Sequence, residues 1–67
     1  MTDPIRVLIA EDQSLVRGAL VALLETEPDI SVVAECATGG QVAGLVAKHG
    51  VDVALLDIER PGKNGLD

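Results

Sequence analysis

The sequence predicts an α/β fold, a doubly wound parallel sheet covered by helices. Short runs of β-branched and aliphatic residues alternate with segments whose apolar positions recur at spacings of three and four. The resulting order, β-α-β-α-β, implies one parallel sheet with right-handed crossovers. The 67 residues include no Phe, Tyr or Trp, so the 48% hydrophobic content comes almost wholly from Val, Leu, Ile and Ala. That composition suits a sheet buried between layers of helix.

The first strand is Ile5-Arg6-Val7-Leu8-Ile9-Ala10, which stops at Glu11-Asp12-Gln13-Ser14. Polar residues with capping capacity follow it directly, so a helix is expected next. From Leu15 to Leu24, the positions Leu15, Val16, Ala19, Leu20, Leu23 and Leu24 form one apolar stripe, with Arg17 and Gly18 facing away. The helix ends in Glu25-Thr26-Glu27-Pro28-Asp29, because proline disfavours helical geometry at the residue before it. A second strand is expected over Ile30 to Ala37, centred on Val32 and Val33.

Thr38-Gly39-Gly40-Gln41 fits a capping box, with Thr38 accepting from the Gln41 amide and the Gln41 side chain reaching back. The helix that follows carries Val42, Leu45 and Val46 on one face. It ends near His49-Gly50, where glycine suits the position just past a helix. His49 reads there as a partner of the helix dipole and not as a ligand. Val51-Asp52-Val53-Ala54-Leu55-Leu56 is the third strand and ends at Asp57. Ile58 to Asp67 is a turn-rich loop.

Composition narrows the function. A chain this short holds at most one small domain with a marginal core, burying about 60% of the surface its unfolded state exposes. The net charge is −6, and the five basic residues Arg6, Arg17, Lys48, Arg60 and Lys63 do not cluster. This segment alone is a poor ligand for nucleic acid, whose binding depends on Lys and Arg at phosphates. A single cysteine, Cys36, allows no internal disulfide and has no second ligand near it, so a buried structural thiol is expected. No signal-peptide pattern and no run approaching 18 apolar residues is present, so a cytoplasmic location away from membranes is expected.

Three carboxylates stand in informative places. Glu11 and Asp12 end the first strand, and Asp57 ends the third. In open parallel sheets, ligands bind beyond the carboxyl ends of the strands, beside the point where strand order reverses. If the first strand lies between the other two, all three carboxylates converge. Such a crowd of anions raises its own pKa values or recruits a cation, and oxygen donors with waters suit Mg²⁺. A metal there neutralises an incoming phosphoryl group, while a carboxylate nucleophile forms an acyl phosphate. Taken alone, Asp12 before a helix reads as an ordinary N-cap.

The strand followed by Glu11-Asp12-Gln13-Ser14 and an amphipathic helix resembles the opening of a response-regulator receiver domain of two-component systems. Val53-Ala54-Leu55-Leu56-Asp57-Ile58-Glu59, with Pro61 and Gly65 after it, resembles the phospho-acceptor region of that family. Leu15 to Ala34, with Glu27-Pro28-Asp29-Ile30, is most similar to receivers of the NarL/FixJ type. The resemblance covers essentially the whole chain, as a partial receiver over residues 1–67. It implies a flavodoxin-like sheet truncated to β1-α1-β2-α2-β3, with strand order 2-1-3. It further implies that Asp57 accepts a phosphoryl group from a sensor histidine kinase. Glu11, Asp12 and Asp57 would hold Mg²⁺ together with the backbone carbonyl of Glu59. In the intact protein the switch would control a DNA-binding output domain, and the receiver itself would not be an enzyme.

Two departures stand out. Arg60 occupies a place where the family usually has an apolar residue. The sequence also stops after the third strand, before the family's switch Ser or Thr and its phosphoryl-contacting Lys. A chain of this extent is expected to be phosphorylated poorly, and its exposed third strand to favour a homodimer or domain swap. A non-catalytic self-associating module is one alternative, and another α/β phosphoryl-transfer domain is a second. A dinucleotide site is disfavoured because Glu11-Asp12-Gln13-Ser14 stands where G-x-G-x-x-G belongs. An aspartate-nucleophile phosphatase would usually carry its nucleophile on the first strand.

Overall fold

A computed structural model describes residues 3–58. Its elements are β1 (Ile5–Glu11), α1 (Ser14–Leu24), β2 (Ile30–Cys36), a 3-10 turn (Gly39–Gln41), α2 (Val42–His49) and β3 (Val53–Asp57). The three strands form one parallel sheet in the order β2-β1-β3, as expected. The third strand starts two residues later than the sequence suggested and includes Asp57. No helix among the described residues is long and apolar enough to cross a membrane.

β1 lies at the centre of the sheet, so Leu8, Ile9 and Ala10 are fully buried. Side chains alternate across the sheet with period two. Leu8, Ala10 and Cys36 form a core closed by Ala34, Val42, Leu45, Val51, Ala54 and Ile58 on the α2 side. Ile5, Val7, Val53 and Leu55 point to the opposite face, where they line an apolar groove with Leu24 and Ile30. Right-handed crossovers account for the two faces, since the chain leaves β1 in one direction and recrosses it to reach β3. Beyond β3, no strand lies along the outer edge among the described residues. Val53, Leu55 and Leu56 are exposed there.

The register of β1 against β2 slips by one residue at Val33. Val7 pairs with Val32, but Leu8 pairs with Ala34. An extra residue in one strand reverses which face its later side chains occupy. Ala34 and Cys36 consequently join the α2-side core, and Glu35 turns to the α1 face. Nothing in the apolar run of β2 announces the slip.

Helix α1 lies differently from the stripe read in the sequence. Leu15 and Leu23 are 85% and 66% exposed, whereas Arg17, Leu20, Val21 and Leu24 are half-buried. The apolar arc of α1 is wider than the surface that β1 and β2 offer it, so only one flank is covered. Arg17 therefore does not face away. The N-cap is Gln13, with no side-chain hydrogen bond, so Asp12 does not cap the helix. The capping box at Thr38 is also absent. The Gln41 amide donates to the Thr38 carbonyl at 3.4 Å in the 3-10 turn, and the Thr38 hydroxyl donates to Gln41 Oε1 at 3.1 Å.

The end of α2 follows the expectation. Gly50 has φ 62° and ψ 53°, and its N–H donates to the Val46 carbonyl at 3.0 Å. The carbonyls left over at a helix end need donors, and Arg6 of β1 supplies them. Its Nε donates to His49 O at 2.9 Å and to Gly50 O at 3.1 Å. Asp52 completes the tie, accepting from the Arg6 N–H at 2.9 Å and donating to the Arg6 carbonyl at 2.8 Å. The cation that meets the helix end is thus Arg6, with His49 beside it.

Alanine at these glycines is expected to act with opposite signs. Gly50→Ala places an L side chain in the left-handed region and should cost about 1–2 kcal/mol. Gly18→Ala lies within α1, where an added Cβ meets nothing within 4 Å, and should stabilise by up to about 1 kcal/mol. Chemical denaturation of both variants checks the pair.

Candidate functional site

Parallel strands bring their carboxyl ends to one edge of the sheet, and the last residues of β1 and β3 meet there. Glu11 and Asp57 are register partners. Each lies two residues beyond a side chain of the α1 face, Ile9 or Leu55, so both carboxylates emerge on that face. Asp12 follows Glu11 into the turn before α1. Glu11, Asp12, Gln13, Val16 and Asp57 together line a cavity of about 90 Å³.

The three carboxylates have unlike surroundings. Asp12 and Asp57 are exposed, but Glu11 is only 3% exposed. Glu11 Oε2 accepts the Gln13 N–H at 3.0 Å, while Oε1 is buried without a partner. A buried carboxylate oxygen without a partner is costly. The Gln13 amide pulls the Glu11 pKa down, but burial and the neighbouring Asp12 and Asp57 carboxyls outweigh it and leave the pKa raised.

The sign of the pH effect follows. A carboxyl with a raised pKa contributes stability below its unfolded-state value, and this is lost as pH rises through the folded value. Without divalent cations, Glu11→Gln should gain thermal stability relative to the parent as pH rises through that window. Paired melting curves across the carboxylate range check this.

The donor set fits a hard divalent cation. It consists of oxygens carrying excess negative charge, one of them buried and unmatched. Among the described residues, no group of three His, Cys, Asp or Glu side chains forms a ready-made metal cage. The Glu59 carbonyl expected as a further donor lies outside the described residues, as do Arg60, Pro61 and Gly65. A larger hollow of about 670 Å³ lies between the start of α2 and β3. Its lining of Gly39, Gly40, Val42, Ala43, Leu56 and Ile58 offers no ionisable side chain, so it is no rival as the chemical site.

Two contributors were missed in the sequence. Gln13 acts through its backbone amide, which no side-chain pattern reveals. Arg17 donates from Nη1 to the Glu11 carbonyl at 2.6 Å, and its Nε lies 3.8 Å from Glu35 Oε1. A lone basic residue in the first turn after an acidic pair was the available signal.

The family model for the response regulator receiver domain matches residues 7–67. The transcriptional regulatory protein DesR of Bacillus subtilis is 46% identical over 63 residues, covering 94% of this chain and 32% of DesR. A protein-glutamate methylesterase/protein-glutamine glutaminase of Rhodospirillum centenum is 38% identical over 65 residues, covering 97% of this chain and 16% of that protein. A protein of the same description from Rhodospirillum rubrum is 40% identical over 63 residues, covering 94% and 16%. The chain thus spans between 16% and 32% of the length of these relatives.

Proposed function

The chain belongs to the response-regulator receiver family, and from that premise we propose that Asp57 is its phospho-acceptor, served by a divalent cation held between Asp57, Glu11 and Asp12. The observation that carries this reading is the register pairing of Glu11 with Asp57 around a cavity where one buried carboxylate oxygen has no partner. Receiver domains generally use Mg²⁺ for phosphorylation. Glu11, Asp12 and Asp57 would hold it with their carboxylates, and Glu59 with its backbone carbonyl. When bound, the ion neutralises charge on the carboxylates and on the phosphoryl oxygens.

The remaining chemistry belongs to the side chains. Asp57 is exposed at the end of β3 and stays within reach of a donor protein. One of its carboxylate oxygens forms the new bond to phosphorus as the bond from phosphorus to the donor's imidazole nitrogen breaks. The product is an acyl phosphate, and the electron pair leaves with the imidazole. Glu11 is fixed by the Gln13 amide and takes no part in bond making.

The partner that fits is a sensor histidine kinase, and the setting is cytoplasmic. Residues 1–67 act as part of a receiver that is not an enzyme in itself. Matches to a transcriptional regulator and to a methylesterase fit a segment whose output is set by the rest of the protein. The higher identity to the transcriptional regulator supports a DNA-binding output of the NarL/FixJ kind.

The test is intact mass after incubation with Mg²⁺ and a small phosphoryl donor. A phosphoryl increment on a minor fraction of the chains is expected, in keeping with poor phosphorylation of this segment, and none when the cation is chelated. An increment that survives chelation would remove the cation from the reading.

A further inference from the structure

We propose that Arg17 is a positioning residue of the carboxylate site, one that sets its affinity for a divalent cation by holding the peptide between Glu11 and Asp12. This rests on the reading of the site given above.

The pairing of β1 with β2 ends at Ala10 and Cys36, while the pairing with β3 continues to Glu11 and Asp57. Glu11 therefore has a strand neighbour on one side only. On the other, the Arg17 guanidinium takes the place of a strand, donating to the Glu11 carbonyl at 2.6 Å. That carbonyl belongs to the planar peptide joining Glu11 to Asp12. Fixing the plane fixes where the Asp12 side chain starts, as the Gln13 amide fixes the Glu11 carboxylate.

Arg17 is itself held. Its side chain is 22% exposed, and its Nε lies 3.8 Å from Glu35 Oε1. Glu35 faces α1 only because the register slips at Val33. The slip, Glu35, Arg17 and the Glu11 carbonyl thus form one chain of contacts from β2 to the carboxylates. Replacing residues that orient metal ligands from behind typically costs about 10- to 100-fold in metal affinity.

Geometry and charge make opposite demands. Arg17 is a permanent cation close to a site for a cation. If it acted through charge alone, its removal would tighten Mg²⁺ binding. If it only supported the fold, its removal would lower the melting temperature and leave the affinity unchanged. A positioning role predicts weaker binding.

The experiment is calorimetric titration of Mg²⁺ into the unphosphorylated full chain, far below its melting temperature. Arg17→Met keeps the apolar stem and removes every donor, and its Kd should rise about tenfold. Arg17→Lys keeps the charge but loses the fork, and its Kd should rise by about threefold. An unchanged or smaller Kd in Arg17→Met overturns the proposal. Should that variant fail to fold, Arg17→Lys decides, and a parental Kd overturns it. A parent chain that binds no Mg²⁺ overturns the underlying reading as well. A parent that binds normally beside an unaltered Arg17→Met overturns this inference alone.

Discussion

Asp57→Asn is expected to lower phosphoryl uptake by roughly 10³-fold or more, since it removes the nucleophile itself. Asparagine keeps the shape of the side chain but offers a neutral amide in place of a carboxylate. Two other carboxylates line the cavity, and neither replaces it well. Glu11 is buried, with one oxygen engaged by Gln13. Asp12 is exposed and is the only place where residual uptake is expected. Unfolding is excluded as the cause by a second readout. Asp57 is one of the groups that push the Glu11 pKa up, so Asp57→Asn should raise the melting temperature when no divalent cation is bound. Intact mass and thermal unfolding on the same sample read the two effects, which run in opposite directions.

The second large effect concerns the core. Leu8 and Ile9 are the largest fully buried side chains, and Leu8 packs with Ala10 and Cys36 under α2. Leu8→Ala should cost about 2–5 kcal/mol through lost transfer energy and the cavity left behind. Domain stabilities run from about 5 to 15 kcal/mol, so this one change removes a large share. Leu8→Met nearly conserves volume and should cost less than about 1.5 kcal/mol. Denaturant midpoints order the variants. A loss for Leu8→Ala as small as that for Leu8→Met would mean that Leu8 is not closely packed.

Elements set by local pattern were readable in the sequence. The β-α-β-α-β succession and the helix end at Gly50 follow from residue periodicity and turn chemistry, whereas the strand order, and with it the gathering of Glu11, Asp12 and Asp57 at one sheet edge, was implied only by the family resemblance. What stayed hidden depends on contacts between distant residues. The width of the apolar arc on α1 does not say which flank the sheet covers, and so Leu15 and Leu23 are exposed where burial was expected. Neither capping expectation survived, because the helices start one residue after Gln13 and Gln41, so Asp12 and Thr38 are not at the N-cap positions of α1 and α2. The slip at Val33 lies inside a uniform apolar run, yet it carries Glu35 to Arg17. Arg6 reads as a charge within a strand, and only the fold brings it to the carbonyls that end α2.

The most direct test is to locate the phosphoryl group by peptide mass spectrometry after incubation with Mg²⁺ and a small phosphoryl donor. The expected result is a hydroxylamine-labile acyl phosphate on Asp57, formed only when a divalent cation is present. A phosphoryl group found on Ser14, Thr38 or His49, or formed on Asp57 without any divalent cation, would contradict the carboxylate site as described.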